Sequence, residues 1–488
     1  MRYLHIIYTL LFGVAVFLFF GLAYPHHLHY QEQYQLFLFD STYVSEIVSL
    51  PGGVADLLGR FCTQFFLFAW VGAFIIALLL SLVQLLVFSL MTGRRSTAKG
   101  QWCYGLSFVP SFLLWLFLLD ENALLGGVCA VLLTLLAAWA IVKLASGWTR
   151  RVLLILAIPV LYWLAGPVSF PIPVDSLWHG VHYHRYPTVF PWLLWGAALS
   201  VFVLWGMGLW WRVKGGGWRE NTPSKTHLLP PSTFYLPLFS FLLVAIVMGS
   251  LVWKNANFKA EKVMQYDFMV CHQQWNRILE TINAEKPNNQ IGVTVQNLAL
   301  AMHGMLADHL FDYNQNGLLG LLPDVERDAT SPMPTAEAFY QLGMIYVAQR
   351  TVFEAQEAIL DFQKSGRCYK RLAQTNLIIG SYEVARKYLT ALQKTLFYRE
   401  WANETLQLLG NEEAIAKHPE YGRLRKSLYK GDFFFSDHVT PEMLESLYFG
   451  NTENLLALEY LKAYYMLTND RDGYARLQIH VQESRVKN

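Results

Sequence analysis

Residues 241–268 read FLLVAIVMGSLVWKNANFKAEKVMQYDF. Up to Trp253 the stretch carries no charge, and from Lys254 onward Lys, Glu and Asp arrive every few residues. That change of character divides the chain. Residues 1–253 are a series of long uncharged runs, and residues 254–488 have the charge balance of an ordinary soluble domain.

Working back from this boundary, seven runs are long enough for a hydrocarbon core, which takes about 20 helical residues. They cover roughly 4–24, 61–91, 102–119, 123–142, 152–170, 189–211 and 232–253. The first, within MRYLHIIYTLLFGVAVFLFF, lacks a small-x-small cleavage site and is followed by more apolar spans, so it is read as a retained helix rather than a signal peptide. Seven crossings leave the two termini on opposite sides.

Loop charge sets the orientation. Arg94, Arg95 and Lys99, then Lys143, Arg150 and Arg151, then Arg212, Lys214, Arg219 and Lys225 mark three cytoplasmic loops by the positive-inside rule. The expectation is a multi-pass protein of the plasma (inner) membrane with a cytoplasmic N-terminus. Residues 25–60, 120–122 and 171–188 then form the outer loops, and residues 254–488 form an extracytoplasmic domain, periplasmic in a Gram-negative cell.

Composition excludes several functions. A net charge of +2 without Lys/Arg clusters gives no basis for nucleic-acid binding. Between their flanks the seven runs contain no Asp, Glu, Lys or Arg, and His5 is the one imidazole inside them, which argues against ion-coupled transport. Cys62, Cys103 and Cys129 lie in or beside apolar runs, Cys271 and Cys368 lie in the second part, and no C-x-x-C occurs.

Six of the 14 histidines fall in two outer-loop stretches, HHLHYQE at 26–32 and HGVHYHR at 179–185. Such rings populate a membrane interface readily, and His or Arg also suits acid–base work or an anionic lipid-linked substrate. No H-x-x-x-H or H-E-x-x-H spacing supports a metal, and the identity of any cofactor is unknown. The first outer loop predicts two short amphipathic helices separated by Pro51-Gly52-Gly53 and lying in the interface, holding Glu32, Asp40, Glu46, Asp56 and Arg60 near the membrane surface. The third, rich in Pro and aromatic residues, offers Asp175, His179, His182, His184 and Arg185. Further on, DYNQNG at 312–317 opens like a calcium loop, but its twelfth position is Pro323, so it reads as a polar turn.

From residue 335 the chain matches a tetratricopeptide (TPR) signature: Phe339, Leu342, Gly343, Tyr346 and Ala355 stand at its offsets. The small pair Gly343/Ala355 recurs at the same spacing as Ala373/Ala385, Ala402/Ala414 and Ala463/Ala475, as paired helices in close approach require. The fold class expected is therefore all-α: a membrane domain of about seven helices followed by a TPR-like α-solenoid whose concave face takes a protein or peptide partner.

Seven helices, a first outer loop of two amphipathic helices and an outward-facing repeat domain together resemble the GT-C class of integral-membrane glycosyltransferases. The resemblance is one of architecture over most of the chain. It implies transfer from a lipid-linked sugar, usually on a polyprenyl phosphate, at the outer face of the membrane. It also implies a carboxylate of the first outer loop as base, here Glu32 with Asp40 second, Arg60 and Arg185 for the lipid phosphate, and His179, His182 and His184 lining the substrate groove. The only adjacent acids of the outer loops, Asp120-Glu121, lie in the second loop rather than the first. The competing expectation is a non-enzymatic assembly factor for an envelope complex, with the solenoid as its working part.

Overall fold

The apolar stretch from Leu238 to Asn255 is a helix, as are the stretches His5–Ala23, Ala69–Thr92 and Leu125–Lys143, and these four are long and apolar enough to cross a membrane. The computed structural model describes residues 2–92 except 34 and 51, residues 103–144, 147, 152 and 156, and residues 191–215, 232–324, 332–359, 363–428 and 440–487. Among the described residues every regular element is helical. Two compact units, Met1–Phe258 and Lys259–Asn488, divide the chain.

In the first unit, α1 (Arg2–Leu18) is extended by a π-helical turn, Phe19–Ala23, and leads through α2 (Pro25–Glu32), α3 (Ser41–Val48) and α4 (Gly53–Thr63) to α5 (Ala69–Thr92). Helices α6 (Cys103–Leu106) and α7 (Val109–Phe117) follow, then α8 (Leu125–Leu144), α9 (Trp192–Gly215) and α10 (Ser232–Asn255). Two further apolar helical stretches, Tyr104–Phe117 and Trp192–Gly208, the latter the first part of α9, are shorter than the four long ones. The first of them is broken before Pro110, whose ring fits the first turn of α7 but not a helix interior. The predicted run 152–170 lies outside the described residues, as does the loop 171–188.

Side-chain contacts give the directions. Gly21 meets Trp70, Thr9 donates to Gln84 Oε1 at 2.8 Å, and the rings of His5 and Phe88 are 5.1 Å apart, so α1 and α5 are antiparallel. His5 pairs with Tyr104, Phe12 with Phe108 and Phe112, and Phe19 with Trp115, so α6 and α7 run with α1. Gly127 lies beside Leu194, and Gly208 against Met91, which places the start of α9 with the start of α8. Phe241 packs on Tyr8 and Phe108, and the Asn257 N–H donates to Tyr24 Oη at 2.5 Å. One end of the bundle therefore gathers Tyr24, Trp70, residues 117–127, Leu194 and Asn257; it is called the α2 end.

Several buried polar side chains of the bundle are hydrogen-bonded within it, which matters most where water is absent. Gln84 donates to Ser107 Oγ at 2.8 Å, and Ser111 donates to the Leu80 carbonyl at 2.8 Å. The outer surface is the reverse: Ile7, Leu10, Leu11 and Val14 on α1 and Phe239, Leu243, Ile246 and Val247 on α10 are exposed. Apolar side chains facing outward on this scale suit a lipid environment.

The second unit begins with α11 (Phe258–Cys271), α12 (Trp275–Glu285), α13 (Gln290–Met302), α14 (Leu306–His309) and α15 (Leu318–Leu321). It continues through α16 (Pro332–Leu342), α17 (Ile345–Ala358), α18 (Gly366–Ile379) and α19 (Tyr382–Gln393). Helices α20 (Arg399–Leu408), α21 (Glu412–Lys417), α22 (Pro419–Lys426), α23 (Pro441–Gly450), α24 (Leu455–Thr468) and α25 (Arg471–Lys487) complete it. Local chemistry sets the helix ends. Ser365 Oγ caps α18 by accepting the Cys368 N–H at 3.1 Å, and Gly380 ends it at φ +92°, a conformation that costs glycine little.

The repeat reading meets two differences here. Gly343 has φ +91° and sits in the turn between α16 and α17, so Gly343/Ala355 is not a contact between two helix interiors. Of the four small-residue pairs only Ala373/Ala385 has both members fully buried on paired helices, α18 and α19; Ala414 is partly exposed and Ala475 exposed. Secondly, α24 packs on α13, α14, α15 and α16, far from it in sequence. Glu459 accepts the Ala307 N–H at 3.1 Å, and Asn454 donates to the Leu342 carbonyl at 2.9 Å. A solenoid is held by nearest neighbours alone; in this unit the C-terminal hairpin returns to its beginning.

Charged groups occupy the interior of this unit. Arg367 donates to Asp267 at 2.5 and 2.8 Å, and Arg371 donates to Glu337 at 2.6 and 2.7 Å while its guanidinium lies 3.7 Å above the Tyr340 ring. All four are buried or nearly so, which ties α11, α16 and α18 through charge-assisted pairs: Arg367 uses two nitrogens on Asp267, and Arg371 uses one nitrogen on both oxygens of Glu337. DYNQNG is a turn in which Asp312 pairs with His309 at 2.7 Å.

Candidate functional site

The polar residues singled out in the first outer loop gather at the α2 end of the bundle. Pro25 opens α2 with a φ already suited to a first turn, and the helix buries His27, Leu28, Tyr30, Gln31 and Glu32. His27 Nε2 lies 3.0 Å from the Leu118 carbonyl. A carbonyl only accepts, so Nε2 carries the proton, and burial pushes the imidazole pKa down to about 4, leaving the ring neutral. Gln31 Nε2 donates to the Ala123 carbonyl at 3.1 Å. Both side chains therefore clasp residues 118–123, the connection between α7 and α8.

Helix α4 has two unlike faces. Ala55, Gly59 and Thr63 are buried, and Val54, Leu58 and Phe61 are exposed. The small face lets α4 approach the start of α8, where Gly59 meets Gly126. Between the faces Arg60 donates to Asp56 Oδ2 at 2.9 Å through Nε, and its Nη2 is 2.8 Å from the same oxygen. Asp56 raises the Arg60 pKa against the opposing effect of burial. The guanidinium predicted for a lipid phosphate is thus engaged along its own helix.

Glu32 closes α2 as a buried residue and lines neither cavity of this region. Asp40 stands at the N-terminus of α3, its carbonyl accepting the Val44 N–H at 3.0 Å, and it is half-buried. His179, His182, His184 and Arg185 lie outside the described residues. Among the described residues no group of three or more His, Cys, Asp and Glu could hold a metal.

Two cavities do open here, and both include Glu121. A small niche of about 10 Å³, room for about one water, is lined by Gln31, Gln35, Thr63, Glu121 and residues 123–125. Gln35 is buried and its Nε2 has no hydrogen-bond partner in the protein. The larger cleft, about 360 Å³, takes its polar lining from Asp120, Glu121, Asn255 and Asn257. Leu116, Leu119 and Leu193 supply its apolar wall. Sequence reasoning placed chemistry on Glu32 and set Asp120-Glu121 aside as part of the second loop; in the structure Glu121, not Glu32, borders these cavities.

The second unit has its own groove of about 640 Å³ along one side of α17, lined by Tyr346, Gln349, Arg350, Phe353, Glu354 and Glu357. Phe353 and Glu357 are exposed there.

Comparison with known proteins adds one finding. The pattern that defines a family of unknown function (DUF6057) matches residues 2–487. No curated protein and no solved structure matches the chain.

Proposed function

The chain belongs to the DUF6057 family, and we propose that it is a membrane-anchored scaffold whose helical C-terminal unit binds a protein partner, as an assembly factor for an envelope complex does. The observation that carries this reading is the α17 groove. Among the described lining residues, Tyr346 and Phe353, two turns apart, provide aromatic anchors, and two acids, Glu354 and Glu357, stand beside one base, Arg350, which is 3.9 Å from Glu354. A partner helix with apolar residues at the same spacing and Lys or Arg beside them complements that face.

In this reading the anchor crosses the plasma membrane seven times, with the N-terminus cytoplasmic and the helical unit extracytoplasmic. The described helices support the count: α8 finishes at the end opposite α2, and α9 starts at the α2 end. Helices α3 and α4 lie in the outer interface, with Val54, Leu58 and Phe61 toward lipid.

The test is binding of a synthetic basic amphipathic helix to the full chain in nanodiscs. Micromolar binding, weakened about tenfold or more by Glu357→Lys and by Phe353→Ser and not shared by an acidic helix of the same apolar pattern, is the expected result. Equal binding of both peptides would remove the reading.

A second reading, transfer of a sugar from a polyprenyl-phosphate-linked donor, is favoured by the 360 Å³ cleft at the α2 end with its acid pair and leucine wall. It predicts that Glu121→Gln abolishes transfer while Glu32→Gln does not, since Glu121 lines the cleft and Glu32 does not.

A further inference from the structure

We propose that the cleft at the α2 end binds an amphiphile whose head is rich in hydrogen-bond donors, hydroxyl or ammonium, with Asp120 and Glu121 as its acceptors. The inference concerns binding alone and holds whether or not the chain transfers a sugar.

Three observations converge on it. First, a volume of about 360 Å³ falls within the range of small-molecule sites, and this cleft combines a leucine wall with a cluster of polar groups, which suits a ligand with an apolar tail and a polar head. Secondly, the polar lining is dominated by acceptors. Asp120 Oδ1 takes the Asn122 N–H at 2.9 Å, leaving Oδ2; Glu121 adds a second carboxylate; and Asn255 spends an Nδ2 proton on the Leu251 carbonyl at 2.8 Å, leaving its Oδ1. No Lys, Arg or His lines the cleft among the described residues, so a bare phosphate would meet like charge there.

The third observation is the niche behind Glu121. Gln35 Nε2, in a side chain 2% exposed, has no protein partner and borders a space for about one water that Glu121 also borders. A water in that space would find a free donor in Gln35 Nε2, and Glu121 borders both this niche and the cleft, so a buried unpaired polar group stands directly behind the cleft's acid.

The experiment uses the full chain in nanodiscs with three photoreactive probes on the same alkyl tail: a glucoside, a primary amine and a phosphate. Labelling of peptides spanning residues 116–121 is read by mass spectrometry. The glucoside or the amine should label at least fivefold more than the phosphate, and whichever dominates identifies the head. Asp120→Asn with Glu121→Gln should reduce that labelling about tenfold for the amine and severalfold for the glucoside. Leu193→Trp, which fills the cleft from the start of α9 without touching the acids, should abolish both and keeps the test independent of any effect of the acid variants on folding. Equal labelling by all three probes, or labelling indifferent to Leu193→Trp, would overturn the proposal.

Discussion

Gly59 on α4 and Gly126 in the first turn of α8 meet backbone to backbone: a Cβ added to Gly59 would lie 2.4 Å from the Gly126 nitrogen and 2.6 Å from its Cα. The obstacle is main chain, which cannot rotate aside as a side chain can. Gly59→Ala is therefore expected to push α4 off α8 and lower stability by about 1–3 kcal/mol, the usual range for overpacking. Gly249→Ala is the control, because nothing lies within 4 Å of its Cβ position. There the gain in helix propensity, up to about 1 kcal/mol, should raise the thermal midpoint slightly. Midpoints measured in one detergent distinguish the two; equal shifts would mean that the α4–α8 contact is looser than it looks.

His27 makes the clasp of α2 on residues 118–123 sensitive to acid. Its folded pKa is depressed to about 4 from 6.5, so between those values the detached form binds the proton and the docked form does not. The contribution is complete above pH 6.5 and is lost as pH falls toward 4. The full difference corresponds to about 3 kcal/mol. Hydrogen exchange of residues 25–32 should be slow at pH 7 and accelerate, after correction for intrinsic rates, from pH 6 down to pH 4.5. A His27→Gln variant, which keeps a donor for the Leu118 carbonyl but does not titrate, should show a flat profile.

The pairing of Arg371 with Glu337 predicts an asymmetry between single and double replacements. Glu337→Gln leaves the buried Arg371 guanidinium with the partly exposed Glu420, 3.9 Å away, as its nearest described carboxylate, and should destabilise the helical unit by about 3 kcal/mol. Replacing both, Glu337→Met with Arg371→Met, removes the uncompensated charge and should recover most of that loss. Chemical denaturation followed by Trp fluorescence gives both values. If the double variant is no better than the single, the guanidinium's position 3.7 Å over Tyr340 carries more of the stability than the ion pair does.

What could be read ahead of the structure depended on whether the relevant interaction is local in sequence. The described long apolar stretches are helices because length and lack of charge leave few alternatives, and the boundary after Trp253 needs only composition. The Asp56–Arg60 pair, opposite charges four residues apart on a helix, is local too, but Arg60 was assigned to a lipid phosphate instead. His27 was not legible: among His26, His27 and His29, only the long-range contact with Leu118 singles it out. The repeat signature misled at Gly343 because the same glycine that fits a close helix approach also fits a turn at φ +91°. Asp120-Glu121 was visible as a pair, but a tight loop gives no hint that Leu193 and Asn255, from helices elsewhere in the chain, line a cleft with it.

The return of α24 to α13–α16 separates a closed helical unit from an open repeat array by one deletion. In an array, stability is a sum over neighbours, so removing residues 441–488 would leave the preceding helices about as protected as before. In the arrangement found here the deletion strips Leu458, Leu461 and Ala463 from the core and takes away Glu459 and Asn454, which hydrogen-bond Ala307 N–H and the Leu342 carbonyl. Exchange at residues 290–310 should therefore rise at least tenfold in the truncated chain, although those residues lie more than 130 positions before the cut. The point variant Asn454→Ala should reproduce part of the effect at residues 332–345, since it leaves the Leu342 carbonyl without its donor at a cost of about 1–3 kcal/mol. Unchanged protection at 290–310 after truncation would return the unit to the open-array description.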